Sequence, residues 1–201
     1  GGALGRNIGT LLNLEAIAVV TIVEGFTEAE AGGLVGDNFG EIQNSVSSGT
    51  VNGYEPSGGL VGLNRENGKI TKSYSTVSIL GTNIVGGFVG ENSGEIHNSY
   101  ATGDVTGNTV AGFAGKNSGT ITNSFSIGYI EPEGGKSATF GGFIATDDGG
   151  TVANSYWDTE TSSISTTAGT EEGKTTIQMK SSSTFLEWDF STIWAIEEGA
   201  S

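Results

Sequence analysis

The residues that could carry chemistry are few and sit in ordinary surroundings. The chain has 23 Asp and Glu against 8 Lys and Arg, one histidine and no cysteine, for a formal net charge of −15. Without cysteine there is no disulfide, thiolate nucleophile or Cys-ligated zinc. His97 follows Ile96 at a place where other copies of the same phrase carry Gln43, Thr71, Thr122 and Ala153. It therefore reads as a solvent-facing variant and not as a general base. No Ser-His-Asp order, H-E-x-x-H pair or zinc spacing accompanies it. The glycine-rich phrases lack the Lys-Ser/Thr ending of a phosphate loop and open no amphipathic helix. Asp147, Asp148, Asp158 and Glu160 are the carboxylates that could pair to hydrolyse a glycan. Their Gly-rich turn and polar loop are the setting of solvated surface charge. Asp37, Asp104, Asp147 and Asp158 offer oxygens to calcium, yet no EF-hand loop or calcium-binding nonapeptide array frames them. The expectation is a non-enzyme without a cofactor, calcium being the one ion its oxygens would suit. An acidic surface repels nucleic-acid phosphates and anionic headgroups. No run reaches the ~20 apolar residues of a membrane span; Leu11 to Val23 is interrupted by Asn13, Glu15 and Thr21. Neither nucleic-acid binding nor membrane insertion is expected.

What must position these residues is a repeat. Gly-Gly-Leu-Val-Gly occurs at Gly32 to Gly36 and at Gly58 to Gly62, and Gly-Gly-Phe-Val-Gly at Gly86 to Gly90. Ala-Gly-Phe-Ala-Gly fills Ala111 to Gly115, Gly-Gly-Phe-Ile-Ala fills Gly141 to Ala145, and a weaker copy opens the chain at Gly1 to Gly5. The second residues of these phrases lie at 2, 33, 59, 87, 112 and 142. Each leads to a second phrase, such as Asn92-Ser93-Gly94-Glu95-Ile96-His97-Asn98-Ser99-Tyr100, repeated at 38–46 and 117–125. Units of ~25–30 residues without helical periodicity are the length of one solenoid coil. Runs of three to five extended residues between Gly, Asn and Ser turns are too short to form a sheet alone, but stacked coils pair each run with its copies. The fold predicted is all-β: a β-solenoid of about six coils of 25–31 residues over 1–158, followed by a capping segment over 159–201.

Three interior columns are predicted. Leu34, Leu60, Phe88, Phe113 and Phe143 form the first; Ile42, Ile70, Ile96, Ile121 and Val152 the second; Val46, Tyr74, Tyr100, Phe125 and Tyr156 the third. Glycines beside the first column are expected to turn the chain, with positive φ available to them. Asn44, Asn98, Asn123 and Asn154 suggest an amide ladder at a corner, interrupted by Lys72. With Gly33-Leu34-Val35-Gly36 and Gly59-Leu60-Val61-Gly62, residues 1–160 resemble the GLUG-motif repeat proteins, with Phe replacing Leu in later copies. The resemblance implies a bacterial origin, export and a surface or secreted, adhesin-like setting. It implies no peptidase activity, since the repeats of that family lie outside such catalytic domains.

After Asp158 the repeat stops. Residues 159–170 read as a polar loop, and Lys174 to Lys180 as a short helix with Thr175 as its cap. All three tryptophans follow residue 156. Trp157, Trp188, Phe190 and Trp194 are expected to fold over the bare end of the solenoid, since an open strand edge is a liability. The opposite end shows no cap; the chain reads as a piece of a longer solenoid, or its first coil meets another subunit. Three excursions, Glu24 to Ala31, Gly53 to Ser57 and Glu131 to Phe140, are the expected contact loops. The functional expectation is a stiff, non-catalytic extracellular or cell-surface stalk presenting loops to a host or neighbour-cell protein or glycan. The alternatives are end-to-end self-assembly into a filament through the first coil, and a glycan-cleaving solenoid enzyme.

Overall fold

The structure, a computed structural model, describes residues 1–22 and 29–197. It is a β-solenoid in which the strand pairings of the described residues are parallel and, apart from the last strand Glu172–Lys174, join equivalent residues of successive coils. The first sheet stacks Leu4–Asn7, Val35–Asn38, Val61–Asn64, Val89–Asn92, Ala114–Asn117 and Ile144–Asp147. The second stacks Thr10–Leu12, Glu41–Gln43, Lys69–Thr71, Glu95–His97, Thr120–Thr122 and Thr151–Ala153. In the third sheet the long strands Glu15–Thr21 and Val46–Gly53 pair with each other. From Val46–Gly53 the sheet forks, one branch starting with Tyr74–Ser75 and the other with Ser78–Gly81. A fourth sheet of Ala31–Gly32, Ser57–Gly58, Ile84–Gly86, Thr109–Ala111 and Thr139–Gly141 closes each coil.

The first two predicted columns are interior. Leu34, Leu60, Phe88, Phe113 and Phe143 are fully buried, and the phenylalanine rings stack at 4.8 and 4.6 Å, the spacing of the coils themselves. Ile42, Ile70, Ile96 and Ile121 are fully buried in register, and Val152, in the last coil, is partly buried. The third column departs from expectation. Side chains alternate along a strand, and here it is the following residues, Ser47, Ser75, Ala101, Ser126 and Trp157, that point inward and are buried. Tyr74, Tyr100 and Phe125 therefore project outward as a half-buried lateral stack.

The inward serines explain the glycines. A Cβ on Gly33 would lie 3.0 Å from the Ser47 Cβ, and one on Gly59 would lie 2.1 Å from the Ser75 Oγ and from the Gly87 carbonyl oxygen. The second glycine of each phrase thus lets two walls of the coil touch across its middle. Ser47 Oγ donates to the Gly59 carbonyl at 2.7 Å, and Ser126 Oγ to that of Gly142 at 3.1 Å. This waist separates a core of Leu, Ile and Phe from a second core built from Val51, Val77, Ile79, Val85, Val105, Val110 and Ile130. None of these motif glycines has a positive φ. That conformation belongs instead to Asn13, Asn44, Lys72, Asn98, Asn123 and Asn154, one per coil. Asparagine tolerates the left-handed region better than most residues, and Lys72 adopts it as well.

The predicted amide ladder is consequently in the wrong column. Among the described corner residues only Asn123 and Asn98 bond amide to amide, at 3.4 Å. The continuous ladder is Asn7, Asn38, Asn64, Asn92 and Asn117, buried at the end of the first-sheet strands, each amide donating to the next at 2.8 Å. A serine ladder accompanies the corner. Ser45, Ser73, Ser99, Ser124 and Ser155 are buried, and each Oγ donates to the carbonyl two residues back. Each Oγ also accepts a backbone N–H from the preceding coil.

The tail divides the predicted cap in two. Trp157 belongs to the main core, its ring against Gly142 and its Nε1 donating to the Ile164 carbonyl at 2.9 Å. The segment read as a polar loop covers the end. Gly142 N–H donates to Thr166 O, Ala168 N–H to Ile144 O, Ile164 joins the second core, and Glu172–Lys174 adds a strand beside Tyr156–Asp158. Glu171 is buried there, and burial pushes its carboxyl pKa up. Trp188, Phe190 and Trp194 instead lie along the side of the rod, because the outward aromatic column offers them apolar surface. The predicted short helix is Thr176–Met179, with Thr175 and Gln178 forming a capping box.

Candidate functional site

The outward stack and the returning tail enclose a concave surface along the side of the rod. Tyr74 and Tyr100 are parallel at 4.7 Å, and Tyr100 and Phe125 at 5.0 Å. The pairing register puts Val46 below Tyr74 and Tyr156 above Phe125. Tyr156 is buried by Phe185 and Trp188, whose rings lie 5.5 and 6.2 Å away. Trp188 Nε1 donates to the Asn154 carbonyl at 2.8 Å, and the Asn154 amide donates to Glu187 at 3.0 Å, fixing the tail to the left-handed corner. Asp189 then builds a turn. It accepts the backbone N–H groups of Ser191 and Thr192 and both their hydroxyls, which hold its carboxyl well below the usual range. The Trp194 N–H closes the turn on the Asp189 carbonyl at 2.9 Å. The turn delivers the Trp194 ring to 5.8 Å from Phe125 and 6.1 Å from Tyr100, with its other neighbour Trp188 at 4.4 Å.

A groove of about 690 Å³ results, with Tyr74, Tyr100 and Phe125 as floor, Asn44, Lys72 and Asn98 along one wall and Thr192 to Ala195 along the other. Burial, then the neighbouring Tyr74, pushes the Tyr100 phenol pKa up, so at neutral pH its hydroxyl remains a hydrogen-bond donor. Across Trp194 lies a second, largely apolar hollow of about 290 Å³ among Phe125, Met179, Phe185, Trp188, Phe190 and Ile196. The Trp194 indole N–H is shut off from solvent and has no acceptor among the described residues.

The other anticipated features are placed as follows. Residues 24–28 of the first contact loop lie outside the described residues. The second and third loops are tighter than expected, because their ends join the ladders. Gly53 ends a strand and Ser57 starts one, while Asn83 bonds the Tyr54 carbonyl and the Glu55 side chain. Ile130–Pro132 and Thr139–Gly141 leave only residues 133–138 outside the sheets, with Tyr129 and Phe140 exposed beside them. The carboxylates considered for hydrolysis or calcium have structural partners. Asp37 is bonded by Arg6 and Arg65, Asp104 accepts the Tyr129 N–H, Asp147 that of Gly150, and Asp148 pairs with Lys116. Asp158 caps the helix Thr159–Ser162 and accepts the Thr176 hydroxyl, while Glu160 accepts the Thr176 N–H. His97 faces outward between Thr122 at 2.7 Å and Glu95 at 3.4 Å.

Sequence reasoning missed the groove because it placed the tyrosine column inside. The available signal was the partner column at the next position, Ser47, Ser75, Ala101 and Ser126, whose small side chains suit the close approach of the motif glycines, with Trp157 ending it in the last coil.

Among comparisons with known proteins, the model of the GLUG motif matches residues 81–106. That span is one turn of the solenoid, from the corner at Gly81 through Phe88, Ile96 and Tyr100 to the equivalent of Leu80 in the next coil, Thr106. No curated protein and no solved structure matches the chain.

Proposed function

From the premise that this chain is a β-solenoid carrying the GLUG motif, we propose that it is a non-catalytic structural and adhesive segment of an extracellular or bacterial cell-surface protein. The observation that carries this reading is the unbroken column of parallel pairings, reinforced by buried asparagine and serine ladders. Such a body resists bending and gives up no backbone group to chemistry, while its outward residues vary from coil to coil. Variable side chains on a rigid scaffold are how binding surfaces are commonly built. The carboxylates that a glycan-cleaving site would need are engaged in caps, turns and ion pairs. Binding of the folded chain to arrays of glycans and of matrix proteins tests the reading; specific retention on at least one class is expected, and uniform silence reduces the chain to a spacer.

Self-association is a second reading, favoured by one observation. Ile17 and Val19 are each 79% exposed on Glu15–Thr21, where the next coil carries Ser48 and Thr50. Two copies meeting through this same face would close a dimer and not extend a filament. Light scattering across a concentration series tests this; a constant monomer mass removes it.

A further inference from the structure

The geometry points to the groove beside the tyrosine stack as a glycan site, one that takes a chain bearing an acidic sugar with a sugar ring seated on the free face of Tyr74; this rests on the adhesive reading above. Within the stack Tyr100 is covered on both faces, by Tyr74 and Phe125, and the far side of Phe125 meets the Tyr156 layer with Trp188 and Trp194 tilted against it at 6.1 and 5.8 Å. Tyr74 differs. Its far side looks on the layer of Val46, a side chain too short to cover the ring. The stack therefore ends in an aromatic face one layer spacing deep, about 4.8 Å, which admits one flat apolar object such as the C–H face of a pyranose. Polar groups converge beside it. The Asn44 amide and the Lys72 ammonium line the groove and make no hydrogen bond or ion pair within the described residues, and the hydroxyl of Tyr100 follows one layer on. Amides, hydroxyls and an aromatic face together match a polyhydroxylated ring better than they match a peptide, which would ask for an exposed sheet edge or apolar pockets.

Lys72 selects among sugars. Every other coil places asparagine at this corner, and the backbone is left-handed at all six positions. Lysine gains nothing there over asparagine as a turn residue, so its difference is expressed outward, as a positive charge in a groove of a chain carrying −15 overall. At physiological ionic strength charges more than about 8 Å apart are largely screened, so for a carboxylate bound against it the Lys72 ammonium outweighs the acidic residues beyond that range; the acidic residue of the same column is Glu15, exposed in register beneath Val46 and two layers from Tyr74.

The test uses the whole chain, isothermal calorimetry, and three probes: oligogalacturonate, sialyllactose and a neutral cello-oligosaccharide. Two variants substitute residues that other coils already carry at the same register, so both are built to fold: Lys72→Asn and Tyr74→Val. Tyr74→Val is expected to weaken every glycan by about tenfold, the size of one aromatic contact. Lys72→Asn is expected to weaken only the acidic probes, by about two- to fivefold, as for an ion pair at a rim. The Trp194 indole N–H resonance is expected to shift on titration with an acidic probe and not with buffer. Acidic and neutral probes bound alike, with Lys72→Asn inert, overturn the acidic-sugar assignment. Glycan binding untouched by either variant moves the site off the groove while leaving the adhesive reading intact. Binding to matrix proteins alone also overturns the glycan site and keeps that reading; silence on all probes and on the arrays sinks both.

Discussion

Two asparagine columns run the length of this solenoid and do opposite things. Asn7, Asn38, Asn64, Asn92 and Asn117 are extended, buried and joined amide to amide. Asn13, Asn44, Asn98, Asn123 and Asn154 stand at a left-handed corner with their side chains at or near solvent. In the first column the side chain is the reason for the residue. In the second the backbone is, and lysine can substitute at position 72. Identical residues repeated at one coil spacing thus reflect two different physical demands, and burial and backbone conformation together separate them.

The contrast can be broken most severely at Asn64. Its replacement by Ala strands a donor of Asn38, an acceptor of Asn92 and the Gly68 carbonyl, all buried. A loss of about 3 kcal/mol is expected, read as a lower urea midpoint; a loss below ~1 kcal/mol would mean that the ladder is decorative. Ser99→Ala comes next. It removes the acceptor of the Ser73 N–H and the donor to the His97 carbonyl, for a cost of about 2 kcal/mol. Its neighbour Asn98→Ala gives up chiefly the tolerance for positive φ, costing about 1 kcal/mol, whereas Asn98→Gly should be close to neutral by the same denaturation. If Asn98→Gly cost as much as Asn64→Ala, the corner amides would matter as bonds and the distinction would fail. Smallest is Lys72→Asn, expected to stabilise by a few tenths of a kcal/mol because asparagine is the better left-handed residue; a measurable destabilisation would show that the lysine has a structural partner.

Much of this was legible from the repeat. Because parallel coils stack like on like, one glycine phrase aligned six times yields the register, and with it the pairing of Leu34 with Leu60 and of Ile70 with Ile96. The helix cap at Thr175 was equally readable, being local chemistry within one turn, and the structure adds Gln178 as the other half of a capping box. The role of the glycines was not, since their contact with Ser47, Ser75 and Ser126 runs across the coil and leaves no trace in the phrase itself. Nor was the facing of the tyrosine column, which depends on which of two alternating positions finds the interior.

By itself the chain's order of residues determined the coil, its period and the two apolar columns, because a periodic sequence stacked in register has one way to superpose its copies. The tertiary structure alone decided which asparagines are buried, that Trp157 ends the core while Trp188 and Trp194 turn back along the flank, and that a groove opens beside Tyr74. Each of those outcomes depends on a contact between segments with no shared pattern, such as Trp194 against Tyr100, and such a contact is selected by the free surface the finished coils present.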